Sequence, residues 1–205
     1  CPKNFSENYQ GKVSLIESFR NSSNIVPLKI ANEIGLKKII NLANLFGLGY
    51  EQELKEFLPL AIGSYGDNLL NITNAYAVLN SNGNLYKPSI IEKIETQDYE
   101  LIWENKFFSE KILDSKVNKN LNILLEKSVL EGTAIAASIK GEKIYGKTGT
   151  SDGNRDLWFI GSINNLTTGV WIGFDENKIS NLSSGNAAYF WKTFISKIYD
   201  LKIEK

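Results

Sequence analysis

The sequence contains no histidine and no methionine, one cysteine, and four prolines in 205 residues. Without histidine, every Ser-His-Asp or Cys-His triad and every histidine-ligated metal site is excluded. A single cysteine excludes an internal disulfide and a cysteine-caged zinc, and leaves the redox compartment unread. With no methionine, Cys1 is a poor start for translation, so the chain is expected to be a piece of a longer one. Arginine is scarce as well: of 23 cationic side chains only Arg20 and Arg155 carry guanidinium groups. That argues against a nucleic-acid partner, which clustered arginine would serve. No apolar run reaches the roughly 18–20 residues of a membrane helix. The longest, Phe57 to Ile62, is broken by Pro59. Membrane contact is expected only through an anchor outside this sequence.

What is present suits a folded domain. Apolar residues make up 42%, and 23 basic side chains balance 23 acidic ones. There is no internal repeat, low-complexity tract or Pro/Ser-rich linker, so a single unit over 1–205 is expected, its mainly helical part at 1–88 and its mixed part at 89–205. Ser14 and Glu17 form a capping-box pattern ahead of a short helix with Leu15 and Phe19 on one face. Val26, Ile30 and Ile34 predict a helix from Asn24 to Gly35, with Pro27 in its tolerant first turn. Leu36, Ile39, Ile40, Ala43 and Phe46 predict a third, ending at Phe46, and Leu69, Ile72, Tyr76 and Leu79 one over Asp67–Leu79. A strand pair is expected at Ile90–Thr96 and Glu100–Trp103, turning at Gln97-Asp98. Val117, Leu121, Leu124 and Leu125 mark a helix closed by Gly132. Three β-like runs follow, Glu142–Gly146, Leu157–Ile163 and Thr168–Phe174, with Asn164-Asn165 as the turn between the last two. An amphipathic helix over Ala187–Leu201 closes the chain. Helices, an antiparallel meander and a helix make an α+β fold rather than alternating βαβ.

Two segments carry candidate chemistry. Lys147-Thr148-Gly149-Thr150, at the end of a predicted strand, combines an ammonium, two hydroxyls and a glycine that lets a ligand backbone lie against the strand edge, a set suited to a carboxylate. The same four residues also read as a solvated strand end running into the loop Thr150–Asn154. Gly141 to Thr148 further matches the P-loop spacing G-x-x-x-x-G-K-[ST], with Asp175 available as a partner aspartate. A P-loop needs a helix starting near its lysine, and Glu142-Lys143-Ile144-Tyr145 favours a strand instead. The second segment is Ser22-Ser23-Asn24, three poor helix formers between helical patterns. Alone, Asn24 reads as an N-cap for the helix that follows.

The two segments together resemble the second and third motifs of the β-lactamase and penicillin-binding superfamily, Ser-x-Asn and Lys-Thr-Gly, in the right chain order. Nearly the whole chain is similar to the transpeptidase domain of class A (bifunctional) penicillin-binding proteins. The likeness runs through Pro2-Lys3-Asn4-Phe5, Val13-Ser14-Leu15, Leu60-Ala61-Ile62-Gly63, Ala75-Tyr76-Ala77, Asn82-Gly83 and Gly132-Thr133-Ala134. It continues through Asp156-Leu157-Trp158-Phe159-Ile160-Gly161, Val170-Trp171-Ile172-Gly173 and Asp175. One departure stands out: the family's Ser-x-x-Lys, which bears the nucleophile and its lysine, occurs nowhere in this chain. The resemblance therefore implies an incomplete transpeptidase fold, lacking the N-terminal strands and the nucleophile helix.

It also implies roles. Ser22 is expected to relay protons, Asn24 to hold the substrate's amide side chain, and Lys147 to supply positive potential. Thr148 and Thr150 would bind the terminal carboxylate, with Gly149 between them and the Thr150 N–H as half of an oxyanion hole. The implied partners are the D-Ala-D-Ala end of a peptidoglycan stem peptide and β-lactams, at the extracytoplasmic face of the bacterial inner membrane, with no cofactor and no metal. A non-catalytic sensor or scaffold on the same fold is the alternative reading. The chain alone is expected to be inert and, with apolar faces uncovered, to self-associate.

Overall fold

The computed structural model describes residues 11–49 and 53–200. The landmark Pro2-Lys3-Asn4-Phe5 and the expected helix end at Leu201 lie outside them. The first helix, α1, spans Leu15–Arg20 behind the expected capping box: the Ser14 hydroxyl accepts from the Glu17 N–H, and the Glu17 carboxylate accepts from the Ser14 N–H. Helices α2 (Ile25–Ile34) and α3 (Leu36–Leu45) follow, separated by Gly35 at φ 88°, a left-handed conformation that favours glycine. The apolar run broken by Pro59 forms a 3₁₀ turn at Leu58–Ile62.

Helix α4 runs Leu69–Asn80, capped by the Asn68 side chain, which accepts from the Asn71 N–H. Asp67 braces that end, accepting from the Asn68 N–H at 2.8 Å, the Asn71 amide at 2.7 Å and the Tyr65 hydroxyl. Four short strands come next: β1 (Asn84–Tyr86), β2 (Lys93–Glu95), β3 (Leu101–Glu104) and β4 (Ser109–Lys111). The expected pair is β2–β3; its first strand starts three residues later than the sequence suggested, and a register shift falls between Ile94 and Glu95. The β1–β4 pair was not expected; it flanks the first in sequence and forms a separate two-stranded sheet. Helix α5 (Ser115–Glu131) ends at Gly132 as anticipated.

The meander is β5 (Ile144–Thr150), β6 (Asp156–Ile163) and β7 (Leu166–Gly173), antiparallel in the order β5-β6-β7. Its first strand differs from the expected one. It begins two residues later and runs four further, so Lys-Thr-Gly-Thr lies within the strand and pairs with β6 from Lys147↔Ile160 to Thr150↔Leu157. The extension arises because β6 pairs along its full length and draws the glycine and threonines into the ladder. The β6–β7 turn is Asn164-Asn165, with Asn164 at φ 51°. Helix α6 (Ser184–Ile198) starts a turn earlier than expected, on a capping box made by Ser183 and Asn186.

Strand β6 is central and contacts α6 and α4, which is why Leu157–Ile163 reads as a near-continuous apolar run rather than an alternation. Against it, Trp191 of α6 lies edge-on to Phe159 with ring centroids 5.2 Å apart, and both side chains are fully buried. Gly161 makes room for this: a Cβ there would stand 2.8 Å from the indole. Val129, Ala134, Ala137, Ile139, Ile144, Ile163, Ala187, Ala188 and Ile195 complete that core. Each large apolar side chain removed from water there contributes about 1.5–3 kcal/mol. The core fixes β5 beside α5, and α5 in turn packs on α1. Those two contacts bring the candidate segments together.

Candidate active site

Serine 22 sits where helix α1 stops, and the stop has a defined form. The Ser23 N–H reaches the Ser18 carbonyl at 2.9 Å and the Ser22 N–H reaches the Phe19 carbonyl at 3.1 Å. These are the two bonds of a Schellman motif, in which the residue after the C-cap turns left-handed. Glycine is the usual occupant; here it is Ser22, at φ 52°. For an L-residue that conformation costs about 1–2 kcal/mol. Asn24 heads α2 but makes no side-chain capping hydrogen bond, and its φ of −78° and ψ of −29° are already helical. Asn24 thus holds the expected N-cap position without the cap hydrogen bond, and Pro27 at the third helical position has no N–H for its side chain to accept from.

The turn is docked on the far end of α5. The Arg20 carbonyl, one of the last in α1, accepts from the Thr133 N–H at 3.1 Å. Gly132 is required there, because a Cβ would strike that same carbonyl oxygen. The Arg20 guanidinium pairs with Glu131 at 2.8 Å. Opposite lies β5. Lys147 donates through Nζ to the Ser22 hydroxyl, across 125 residues of sequence, and to the Thr148 carbonyl at 3.2 Å. Its ammonium also lies 5.9 Å from the centre of the Phe19 ring, a cation–π contact. Burial pushes the Lys147 ammonium down to about 8. Charged, it can only donate to Ser22; neutral, it can accept the serine's proton.

Thr148 is nearly buried, 9% exposed, and its hydroxyl lies 2.7 Å from that of Thr133. Thr150 is exposed at the strand's end. Among the described residues β5 has a strand neighbour on one side only. The Ser151 N–H bonds the Asp156 carbonyl at 3.0 Å. By antiparallel alternation, the N–H groups of Thr150 and Thr148 then face the free edge. That edge can take an extended ligand as an added strand. Gly149 lies opposite Trp158 on β6, whose Cβ would be 3.2 Å from a Cβ at 149. Beyond the strand, Asp156 accepts from the Ser151 hydroxyl at 2.8 Å and from the Trp171 indole at 3.1 Å, closing the loop after Thr150.

The structure thus joins Ser22 directly to Lys147, sets Thr148, Gly149 and Thr150 on the same strand, and leaves Asn24 two residues beyond Ser22 on the opposing turn. Phe19 and Thr133 were not singled out from the sequence. Thr133 carried a signal only as part of the Gly132-Thr133-Ala134 landmark. The P-loop pattern does not build a phosphate cradle, since its lysine lies inside a strand and no helix starts there. Among the described residues no group of three or more His, Cys, Asp or Glu side chains could hold a metal ion.

A serine turn bonded to a Lys-Thr-Gly-Thr edge strand is the meeting of motifs that the resemblance to penicillin-binding transpeptidases implies. The profile of the penicillin binding protein transpeptidase domain matches residues 3–187, and the chain belongs to that family. Within it the chain is part of a class A transpeptidase domain. It is 33% identical over 177 residues to penicillin-binding protein 1A of Aquifex aeolicus (strain VF5), covering 86% of this chain and 24% of that protein. It spans about a quarter of the length of the curated relatives it matches. The fold is similar to that of penicillin-binding protein 1A from Haemophilus influenzae, with a TM-score of 0.88 at 22% identity over 100% of this chain and 37% of that one. It is also similar to that of the PonA1 protein from Mycobacterium tuberculosis in complex with penicillin V, with a TM-score of 0.83 at 16% identity over 99% of this chain and 61% of that one. No described helix is long and apolar enough to cross a membrane.

Proposed function

We propose that the protein carrying this chain is a serine-type DD-transpeptidase that cross-links peptidoglycan and is acylated by β-lactams, working at the extracytoplasmic face of the inner membrane. The observation that carries this reading is the direct contact of Lys147 with Ser22, beside a strand whose outer edge is free. The nucleophilic serine lies outside this sequence. Its hydroxyl gives its proton to the lysine of the same Ser-x-x-Lys motif as its oxygen bonds to the penultimate D-Ala carbonyl carbon; the C–N bond to the terminal D-Ala breaks, and the departing amine takes up one proton in exchange. Ser22, backed by Lys147, hands over that proton. Lys147 attracts the terminal carboxylate, the Thr148 and Thr150 hydroxyls bind it, and the Thr150 N–H helps hold the oxyanion, a donor typically worth about 3–4 kcal/mol. Asn24 orients the substrate's amide side chain, and the Gly149 backbone lets the stem peptide lie along β5.

This chain by itself is proposed to be catalytically inert and prone to self-association. Large apolar side chains stand uncovered along α6, among them Tyr189 at 57%, Phe190 at 61% and Phe194 at 46% exposure. The test is labelling by a fluorescent penicillin, followed by light scattering of the isolated chain. The full-length protein is expected to label covalently, while the isolated chain does not label and scatters as more than a monomer. Labelling of the isolated chain, or none of the full-length protein, refutes the reading.

A further inference from the structure

We propose that Thr133 is a positioning residue that aims the Thr148 hydroxyl at the ligand's carboxylate. The inference rests on the function proposed above and adds a residue outside the Ser-x-Asn and Lys-Thr-Gly motifs. Thr133 makes one bond to each side of the site. Its N–H holds the Arg20 carbonyl at 3.1 Å, the last turn of α1, from which the Ser22 loop springs. Its hydroxyl holds the Thr148 hydroxyl at 2.7 Å, on the lysine strand. The neighbouring Gly132 lets the backbones meet this closely, since any side chain there would collide with Arg20.

The chemistry follows from counting protons. Two threonine hydroxyls carry two protons and four lone pairs. One proton lies between the oxygens, whichever residue donates it, and the other is left to point at an anion. When Thr133 donates, the Thr148 proton is released toward the cleft. With Thr133 replaced by valine, the Thr148 hydroxyl keeps its proton but loses the partner that fixes its rotation. Because Thr148 is nearly buried, the bond to Thr133 is sheltered from competing water.

The test uses the full-length protein and two probes, penicillin V and its methyl ester, whose acylation rate constants are compared as a ratio. The wild type is expected to favour the free acid. Thr133→Val lowers the acid-to-ester ratio by roughly three- to tenfold, the scale of one orienting hydrogen bond, while acylation by the ester stays within about twofold of wild type. Thr133→Ser, which keeps the hydroxyl, restores the ratio. The ester serves as the internal control for folding, because a merely structural defect lowers both rates together. Equal loss of both rates, an unmoved ratio, or failure of Thr133→Ser to restore it overturns the inference. Absence of acylation, or of an acid preference, in the wild type overturns instead the function on which it rests.

Discussion

Raising the pH from about 7 to about 11 should unload Lys147 well before a lysine of the ordinary value, 10.5, because its ammonium is buried and held at about 8. No carboxylate contributes to that environment: burial is the cause. Its Nζ donates to Ser22 and to the Thr148 carbonyl at 3.2 Å, but these neutral acceptors do not repay the lost hydration. At about 1.4 kcal/mol for each tenfold change in proton affinity, keeping the charge costs the native state about 3 kcal/mol. The sign is fixed by proton counting. Between about 8 and 10.5 the unfolded chain binds the proton and the native chain does not, so stability rises with pH across that window. The cost is fully present below about 8 and gone above 10.5.

Two measurements check this. Competitive acetylation of the full-length protein, read by peptide mass spectrometry, gives a midpoint for each lysine. Cleavage after Tyr145 and Trp158 gives a peptide in which Lys147 is the single lysine. Urea denaturation of the chain across the same pH range should show a rise of up to about 3 kcal/mol that disappears in Lys147→Met. A Lys147 midpoint at the ordinary lysine value, or a pH slope that survives Lys147→Met, would refute the reasoning.

Ser22→Gly should stabilise the chain by up to about 1 kcal/mol, because glycine relieves the left-handed strain at φ 52°. It should also lower acylation of the full-length protein, since the hydroxyl facing Lys147 is gone; a variant that is no more stable, or one that keeps full activity, counts against the account of the turn. Gly132→Ala drives a methyl group into the Arg20 carbonyl and should cost about 1–3 kcal/mol. It should slow penicillin labelling through displacement of the Ser22 turn, and an unchanged urea midpoint with unchanged labelling would show that the two helix ends are not rigidly docked.

Much of the fold was legible because its signals are local. The Ser14–Glu17 capping box, the four-residue spacing of Val26, Ile30 and Ile34, and the Asn164-Asn165 turn each act within a few residues, and each stands where the sequence puts it. What escaped depends on distant partners. Strand β1 has only three residues and no alternation to betray it; it exists because Ser109–Lys111 lies alongside. Strand β5 runs through Gly149 because β6 supplies the ladder, against the low strand propensity of glycine.

The site shows the same division. Lys-Thr-Gly-Thr and Ser-Ser-Asn were visible as two chemically suggestive segments, but nothing in their spacing states that Lys147 meets Ser22 across 125 residues. The resemblance to a family implied that meeting; the packing of α1 on α5 and of α5 on β5 produces it. Asn24 illustrates the limit of a local rule. It stands at the N-cap position its residue type suggests, yet the cap bond is absent, and Pro27 at the third helical position offers no N–H for it to accept from. A left-handed serine where glycine would be easier is then informative in its own right. The helix end sets the left-handed turn, but the hydroxyl's partner, Lys147, is distant, so the presence of serine in place of glycine is explained by the site rather than by the helix it ends.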